Sequence, residues 1–499
     1  MQEVRTRPQG PATHSADHAQ ANGTQGLCPL VVDLDGTLTP TDTLAESVVR
    51  AVRRRPANLL RLPLWLLRGR AALKARVADE ADFSATHLPL HEPLLAYLRE
   101  QKASGRQLVL ATAAHHSVAG SVSQALGLFD QVLASDAGRN LKGAEKLAAI
   151  IERVGPRFAY AGDSACDRPI WAAAEAAIII GSPRGSRQLR SSGRIEQEFA
   201  VERAGPSTWL RALRVHQWLK NLLLFVPLLT SFAFLDPPSV LAAVLGFFAF
   251  SCVASATYLV NDLLDLGADR THPRKRHRPL AAGRIPITTA LAVGAGLLCT
   301  GLVLAALVNP RFVALLLAYL VLTSAYSWVL KHYVLLDVMM LATLYTLRIL
   351  AGSVAIGVAT SSWLLAFSVF MFFSLALVKR CSELVSLMEL SRHKTSGRDY
   401  NVTDLLVLWP LGVGAGLCSV VVFGLFISTP DTQLRYASPQ LMWLVGLGLM
   451  YWLGRLWIKT ARGQMHDDPL VFALRDFGSR VTVIAMVAAT LAAHFLPAA

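Results

Sequence analysis

Residues 261–284 read Asn-Asp-Leu-Leu-Asp-Leu-Gly-Ala-Asp-Arg-Thr-His-Pro-Arg-Lys-Arg-His-Arg-Pro-Leu-Ala-Ala-Gly-Arg, a densely charged block between two long apolar segments. Ionisable groups beside a membrane span are costly and usually functional. Asp262, Asp265 and Asp269 recur at intervals of three and four residues, so on a helix they share one face. Carboxylates crowded on one face suit Mg²⁺, which takes oxygen ligands and bridges them to substrate phosphates. Arg270, with the basic run after it, suits phosphate oxygens. The block therefore predicts a metal–diphosphate site at a membrane face.

The composition indicates a membrane protein. The 499 residues are 53% hydrophobic and only 16% charged, with a mean hydropathy of +0.42. The net charge is +14, and most of it lies in loops between apolar segments. Anionic lipid and phosphorylated substrates are therefore the expected partners, and nucleic acid is not. The six cysteines are scattered without a C-x-x-C pair, which argues against a zinc site or a disulfide framework.

The chain divides into a soluble part and a membrane part. Residues 1–26 are polar and predicted to be disordered. Residues 27–181 alternate short apolar runs with helical stretches, which predicts an α/β domain with a parallel sheet. Residues 182–206 are rich in Ser, Gly and Arg and are predicted to be a linker. Residues 207–499 are predicted to form an all-α membrane domain. Strands are predicted at Leu30–Leu34, Gln107–Ala111, Gln131–Ala134, Phe158–Ala161 and Ala177–Ile180.

About nine transmembrane helices are predicted in the membrane part. They lie near 221–236, 239–260, 286–308, 312–330, 334–356, 362–378, 404–427, 440–458 and 480–497. Three loops between them, 261–285, 379–403 and 459–479, contain most of the Lys and Arg residues. The positive-inside rule places these loops, the soluble domain and the active sites in the cytoplasm of a bacterium, at its inner membrane. An odd number of spans would put the C-terminus outside.

The soluble part contains an apolar strand that ends in two aspartates. Val31–Leu38 reads Val-Val-Asp-Leu-Asp-Gly-Thr-Leu. Strand alternation aims Asp33 and Asp35 the same way, into the crevice where open α/β sheets bind ligands. One carboxylate can attack phosphorus while the other protonates the leaving oxygen. These residues predict a phosphoryl-transfer site.

Three later features extend this pattern over 135 residues: Thr112 at the end of a strand, Lys146, and the sequence Gly-Asp-Ser-Ala-Cys-Asp at 162–167. In this order they resemble the haloacid dehalogenase-like (HAD) phosphohydrolases, over roughly residues 28–200. The resemblance implies a Rossmann-like fold with a helical cap at about 40–105. It also implies a set of roles: Asp33 as nucleophile, Asp35 as acid/base, Thr112 and Lys146 as phosphate binders, Asp33 and Asp163 as Mg²⁺ ligands, and Asp167 as support.

The stretch Arg53–Arg76 mixes basic residues with leucines and Trp65. Such a helix can lie on anionic lipid. It is equally compatible with an ordinary cap helix that has a solvated basic face.

The opening block resembles the UbiA superfamily of polyprenyl-group transferases. The resemblance rests on Asn261-Asp262-x-x-Asp265-x-x-x-Asp269-Arg270 and on nine spans, over about residues 207–499. It implies a diphosphate held through Mg²⁺ on aspartates from two loops, in a central cavity on the cytoplasmic side. Together the two resemblances imply one Mg²⁺ in each domain.

The second loop departs from the usual pattern, because Val378-Lys-Arg-Cys-Ser-Glu-Leu384 is basic where a second acidic repeat is common. Leu213–Asn221 and His272-Pro-x-Lys-x-x-Arg-Pro279 are similar to the branch that transfers 5-phosphoribosyl from its 1-diphosphate to decaprenyl phosphate. Those two substrates carry three phosphate-type groups, which need fixed cations besides a Mg²⁺ cluster. The predicted phosphate binders are Lys220, Asn261, Arg270, Lys275, Arg278, Lys331, Arg348, Lys379 and Arg380, with Asp337, Arg398 and Tyr400 in support.

Some roles stay open at this stage. Asp337 is predicted either as a general base or as the partner of Lys331. Arg348 lies well inside Val334–Ile356, which predicts a functional role. The polar loop Met465–Pro469 either lines the mouth of the site or simply ends a helix.

The predicted function is a bifunctional membrane enzyme for cell-wall polysaccharide synthesis. The membrane domain would move 5-phosphoribosyl from 5-phosphoribosyl 1-diphosphate to a polyprenyl (decaprenyl) phosphate. The HAD-like domain would then remove the 5-phosphate, giving polyprenylphosphoryl ribose. The alternative is a prenyltransferase that moves a prenyl group from a prenyl diphosphate to an aromatic acceptor, beside an unrelated phosphatase. A lipid transporter with a regulatory domain is a second alternative, although its site would be expected at mid-membrane. The oligomeric state is left open.

Overall fold

The computed structural model describes residues 27–136, 138–181, 190, 193–201, 204–389, 398–465 and 468–496. They form two compact units. The first contains the chain up to Arg203 together with 270–274 and 282–287, and the second contains the remainder. The segment predicted to be disordered, 1–26, lies outside the described residues, as do residues 182–189, 191–192 and 202–203 of the predicted linker.

A six-stranded parallel sheet forms the centre of the first unit, with strand order β3-β2-β1-β4-β5-β6. The strands are β1 Leu30–Val32, β2 Leu108–His115, β3 Gln131–Ser135, β4 Ala159–Gly162, β5 Ala176–Ile180 and β6 Ile195–Phe199. The five predicted strands are confirmed. They are continuous apolar runs because helices cover both faces of a parallel sheet, and Leu30, Val31 and Val32 are fully buried.

Strand β6 lies inside the segment predicted to be a linker. Its sequence, Ile-Glu-Gln-Glu-Phe, is too polar to read as a buried strand. It is the edge strand next to β5, where acidic side chains are tolerated because one side of the strand faces water. Glu196 of this strand lies 2.5 Å from the guanidinium of buried Arg106, which ties the edge to the domain.

The helices of the first unit supply both a cap and the outer layers of the sheet. They are α1 Thr43–Arg54, α2 Asn58–Leu67, α3 Arg70–Ala81, α4 Glu92–Ala103, α5 His116–Leu126, α6 Ala144–Arg153 and α7 Arg168–Ala173. The predicted cap range, 40–105, contains the first four. Leu94 and Leu98 of α4 share a hydrophobic core with Leu30 of β1, and Ala78 of α3 belongs to the same core. The assignment of α1 to α3 as the cap stays a prediction.

The remaining helices belong to the membrane part. They are α8 Pro206–Ala212, α9 Val226–Thr230, α10 Pro237–Leu264, α11 Leu266–Thr271, α12 Ile287–Val308, α13 Pro310–Trp328, α14 Leu336–Ile356, α15 Ser362–Glu389, α16 Leu405–Ile427, α17 Pro430–Arg435, α18 Met442–Ala461, α19 Pro469–Arg475 and α20 Phe477–Phe495. Among the described residues, eight are long and apolar enough to cross a membrane: α10, α12, α13, α14, α15, α16, α18 and α20. Their largest core forms around α15, where Leu377 and Leu384 are fully buried.

The segment predicted as the first span, 221–236, is not one helix. It is divided among a 3₁₀ helix at Val215–Phe225, α9 and a 3₁₀ turn at Ala233–Leu235. Close approach to α14 accounts for the break. A Cβ atom at Gly352 would lie 2.1 Å from the carbonyl oxygen of Leu224, so the two backbones touch at a point where only glycine fits.

This broken segment runs antiparallel to α10 over the length of that helix. Trp218 Nε1 donates to Ser255 Oγ at 3.0 Å, and Asn221 Nδ2 donates to Ser251 Oγ at 3.0 Å. The segment then ends where Asp236 caps the start of α10. Helix α10 has 28 residues, or about 42 Å at the usual rise per residue. The broken segment therefore lies alongside α10 and leads back to the start of that helix, although it is not a long α-helix.

Candidate active sites

Three carboxylates converge at the point where the sheet order reverses, between β1 and β4. Asp33 follows β1, and Asp163 and Asp167 follow β4. Ligand oxygens of all three lie within 4.8 Å of one another, the arrangement that a hard cation requires. Gly36 makes this possible, since its φ is +78° and a Cβ there would lie 2.2 Å from an Asp163 oxygen. The residues present therefore fit Mg²⁺.

A lysine is placed among these carboxylates. Lys146 of α6 is buried, and its Nζ lies 2.8 Å from Asp33 Oδ2 and 3.8 Å from Asp167 Oδ1. It also donates to the Tyr160 hydroxyl at 3.1 Å, and that hydroxyl donates to Asp167 at 3.0 Å. One fixed positive charge and one phenol thus orient the acidic cluster, and the phosphate-binding role of Lys146 stays a prediction.

Asp35 and Thr112 occupy supporting positions in the same crevice. The Asp35 carboxylate accepts from the Thr43 backbone N–H at 2.8 Å. Burial and the nearby Asp42 raise the pKa of Asp35 to about 7, so it can carry a proton at neutral pH. Burial and Asp33 also raise the pKa of Asp163 to about 7. Thr112 is fully buried in β2, and its hydroxyl accepts from the Ala114 N–H at 3.0 Å.

The second unit contains a cavity of about 580 Å³. Ten predicted site residues line it: Lys220, Asn261, Asp262, Asp265, Lys275, Arg278, Lys331, Arg348, Lys379 and Arg398. The complete lining also includes residues that were not predicted. It contains eight basic and four acidic side chains. The predicted residues come from separate stretches of chain between Lys220 and Arg398, so the fold brings together groups that are up to 178 positions apart in sequence.

The acidic end of the cavity is formed where α10 meets α11. Asp262 and Asp265 both line the cavity there. Asp262 is paired with Arg214, and Arg278 Nη1 lies 3.1 Å from the same Asp262 oxygen. Arg278 also lies 2.6 Å from Asp269, which is buried and does not line the cavity. The helix is interrupted at Asp265, with φ −94° and ψ 7°, and Arg278 nevertheless contacts both Asp262 and Asp269.

The opposite wall of the cavity surrounds a single carboxylate oxygen with donors. Asp468 Oδ2 lies 2.7 Å from Lys220 Nζ and 3.7 Å from Lys379 Nζ. It also accepts from the Tyr345 hydroxyl at 3.4 Å. Two ammonium groups and a phenol around one oxygen form a set of donors that would equally suit a phosphate oxygen.

Two family models match the chain. Residues 30–171 match the haloacid dehalogenase-like hydrolases, and residues 223–477, just over half of the chain, match the UbiA prenyltransferase family. The chain belongs to the UbiA prenyltransferase family. Both resemblances inferred from the sequence are thereby confirmed, so this UbiA-family chain combines a transferase-type membrane part with a hydrolase-type domain.

Three relatives show how far the similarity extends. The uncharacterized protein y4nM of Sinorhizobium fredii is 41% identical over 456 residues, covering 90% of this chain and 87% of its own. Nodulation protein NoeC of Azorhizobium caulinodans is 34% identical over 282 residues, covering 56% of this chain and 91% of its own. Decaprenyl-phosphate phosphoribosyltransferase of Mycobacterium tuberculosis is 31% identical over 291 residues, covering 57% of this chain and 93% of its own.

Arg348 of this UbiA-family chain lines the cavity and also braces it. Its Nε donates to Asn221 Oδ1 at 2.9 Å, and Nη2 donates to the Tyr319 hydroxyl at 3.0 Å. Nη1 donates to the Leu344 carbonyl at 2.6 Å. Every guanidinium nitrogen therefore has a protein partner, and Arg348 joins the broken segment to α13 and α14.

Asp337 lies behind the cavity wall and is fully buried. Its carboxylate lies 2.6 Å from Arg380 Nε and accepts from the Tyr400 hydroxyl. Arg398 lies 3.7 Å from Asp337 and 3.6 Å from Glu383, and both Arg398 and Glu383 line the cavity. These contacts let Asp337 position the basic second loop through Arg380 and Arg398. Its roles as general base or as partner of Lys331 stay predictions.

Arg270 was predicted to bind phosphate in the membrane site, but it lies elsewhere. It belongs to the first unit, where its guanidinium is buried and pairs with Glu46 at 2.6 Å. It does not line the cavity. Arg380 and Tyr400 likewise lie outside the lining, because both are held against Asp337.

Two further lining residues come from segments that the sequence singled out without fixing the residue's role. Asp468 belongs to the polar loop whose role was left open, and it does line the cavity, while residues 466–467 of that loop lie outside the described residues. Arg214 has a left-handed backbone, φ +51°, that non-glycine residues seldom adopt. Its place beside Asp262 could not be read from the sequence, because 48 residues separate the pair.

Proposed function

We propose that the UbiA-type part transfers 5-phosphoribosyl from 5-phosphoribosyl 1-diphosphate to a polyprenyl phosphate. The observation that carries this proposal is the charge of the cavity, where eight basic side chains face four acidic ones. Prenyl transfer to an aromatic acceptor has to hold one diphosphate. The proposed reaction has to hold a diphosphate, a 5-phosphate and the acceptor phosphate, which requires more fixed cations. The name of the M. tuberculosis relative, decaprenyl-phosphate phosphoribosyltransferase, supports the same donor and acceptor.

The proposed reaction needs no general base. An oxygen of the acceptor phosphate attacks C1 of the ribose, and the bond from C1 to the diphosphate oxygen breaks with its electron pair leaving on the diphosphate. The attacking oxygen is already anionic at neutral pH, so no proton has to be removed. This agrees with the placement of Asp337, which has no face on the cavity.

The residues of the cavity divide naturally between the phosphate groups. Asp262 and Asp265 offer hard oxygen ligands on the cavity wall and would hold Mg²⁺, which neutralises a leaving diphosphate when bound. Arg214 and Arg278 are close enough to Asp262 to contact the same diphosphate. Lys220 and Lys379 would bind a second phosphate group at the opposite wall.

The soluble domain is proposed to remove the 5-phosphate from the lipid-linked product, giving polyprenylphosphoryl ribose for cell-wall polysaccharide synthesis. An Asp33 oxygen attacks phosphorus, and the bond between phosphorus and the ribose O5 breaks. Asp35 gives its proton to that oxygen, which the raised pKa allows at neutral pH. Lys146 orients Asp33 and balances charge. Asp33 and Asp163 would hold Mg²⁺, which shields the two anions from each other. Water then hydrolyses the aspartyl phosphate.

The chain is proposed to lie in the inner membrane of a bacterium, with the soluble domain and the cavity on the cytoplasmic side. The basic loops support this orientation. The C-terminus is proposed to lie outside. His494, near the end of α20, stacks on Phe232 at 3.6 Å, and Phe232 belongs to the end of the broken segment that leads to the start of α10. Asp262 lines the cavity at the other end of α10, which supports opposite sides for the cavity and the C-terminus.

The test is to incubate membranes containing the protein with decaprenyl phosphate and labelled 5-phosphoribosyl 1-diphosphate, and to identify the lipid products by mass spectrometry. A phosphoribosyl or ribosyl lipid is expected. A parallel incubation with a prenyl diphosphate and an aromatic acid should give no product. The reverse result would refute the proposed donor.

A further inference from the structure

Helix α2, Asn58–Leu67, is apolar on the side that faces away from the protein. Trp65 lies on the inner side and is half-buried. Leu60, Leu64 and Leu67 recur four and three residues apart on the outer side, with exposed fractions of 80%, 61% and 84%. An amphipathic helix in a soluble domain normally turns such a stripe toward the core. This outer stripe is therefore an interaction surface.

The neighbours of the stripe are basic. Exposed arginines precede the helix, lie on it and follow it: Arg53, Arg54, Arg55, Arg61 and Arg68. Arg54 and Arg55 lie 3.5 Å from Asp82 and 3.3 Å from Glu80, respectively. Exposed ion pairs of this kind add little stability and leave the positive field at the surface largely intact. An apolar stripe with basic flanks is complementary to a surface that is anionic outside and apolar beneath.

Two occupants of the stripe can be compared on these grounds. A second copy of α2 would cover the leucines, but it would bring two sets of arginines together. A bilayer with anionic lipids offers both an apolar interior and negative headgroups. The same chain has eight helices that are long and apolar enough to cross a membrane, so a bilayer surface is always close to this domain.

We propose that α2 docks on the anionic surface of the membrane that holds the spans, with Leu60, Leu64 and Leu67 inserted among the lipids. The sequence left two interpretations of this stretch open, a lipid-binding helix and an ordinary cap helix. The docking combines them, because α2 belongs to the predicted cap and also contacts lipid. Trp65 packs inward and is not the lipid anchor. This docking is independent of the chemistry proposed for either active site.

The test uses the full chain in nanodiscs that contain phosphatidylglycerol. A photoreactive p-benzoylphenylalanine replaces Leu60 in one variant and Leu67 in a second, so that failure of one to fold does not end the test. The control places the same group at Ile151 of α6, which is 44% exposed in the same soluble unit. After illumination, lipid adducts are quantified by mass spectrometry.

Lipid adducts at positions 60 and 67 should exceed those at position 151 by about tenfold, and they should decrease in phosphatidylcholine nanodiscs or at high salt. Equal yields at all three positions would overturn the docking. Adducts to peptides of a second copy, in place of lipid, would also overturn it. Yields that do not change when the anionic lipid is removed would overturn the proposed role of the arginines.

Discussion

The two sites of the molecule solve the problem of binding phosphate in opposite ways. In the soluble domain three carboxylates converge around one lysine. In the membrane cavity eight basic side chains outnumber four acidic ones. The first arrangement would need a bound cation to bring a phosphate in, which suits the proposed formation and release of one phosphoryl group. The second holds anions with fixed charges, which suits a reaction in which several phosphate groups must be present together.

The largest effect is expected when the proposed nucleophile of the soluble site is removed. Asp33→Asn should reduce removal of the 5-phosphate by about 10³-fold or more, because the amide cannot form the covalent intermediate. Transfer in the cavity should be unchanged, so the phosphorylated lipid accumulates in a mass-spectrometric assay. Asp130→Asn is the matched control, since Asp130 belongs to the same domain, pairs with Lys102 and lies outside the acidic cluster. A dephosphorylated lipid from the Asp33 variant would contradict the assignment.

The reciprocal change removes the acidic end of the cavity. Asp262→Asn should lower transfer by about 10²-fold to 10³-fold, because the leaving diphosphate loses a metal ligand. Release of phosphate from a soluble phosphomonoester should stay at the wild-type rate. Asp236→Asn provides the control, because Asp236 caps the opposite end of the same helix. Near-normal transfer by the Asp262 variant would show that the cavity works without that carboxylate.

The two sites also differ in how well the sequence predicted them. The soluble site follows from short motifs at strand ends, and parallel strands bring such ends together whatever the connecting helices do. Asp33, Lys146 and Asp163 accordingly lie where the motif order predicts. The cavity depends on the packing of separate helices, which no local pattern encodes. The pairing of Asp269 with Arg278 and the inward turn of Asp337 were therefore missed.

The fold shows the same division. The apolar runs predicted five strands and about nine spans, and eight of those spans match long helices of the described residues, because burial in a sheet or a bilayer leaves a continuous signal. Strand β6 was not predicted, because an edge strand tolerates glutamates and these interrupt the apolar run. The predicted first span was wrong as a single helix, because its conformation is set by the close contact of Leu224 with Gly352, 128 residues later.

A smaller effect is expected from the opposite wall of the cavity. Lys379→Met should raise KM for 5-phosphoribosyl 1-diphosphate by about 10-fold to 100-fold, the usual worth of one charge-assisted hydrogen bond. The turnover number should change little, because the diphosphate end is untouched. Lys459→Met tests for a general effect of lost charge, since Lys459 pairs with Asp476 outside the cavity lining. Equal changes in both variants would remove Lys379 from the proposed phosphate site.

The smallest effect should come from Asp468, whose carboxylate oxygen contacts both Lys220 and Lys379. Asp468→Asn frees their charge for a substrate phosphate and should lower KM for the donor by about threefold to tenfold. The measurement is the same steady-state assay over a range of donor concentrations. An increase in KM would instead mean that Asp468 positions the lysines for substrate.

The broken passage beside α10 has a consequence for the biogenesis of the protein. Its pieces, of 11 and five residues in the 3₁₀ helix and α9, are too short to enter a bilayer as independent helices. They gain hydrogen-bond partners only when α10 follows, and they gain their closest backbone contact only when Gly352 of α14 has been synthesised. The final conformation of this segment therefore requires both α10 and α14, because its partners lie on those two helices.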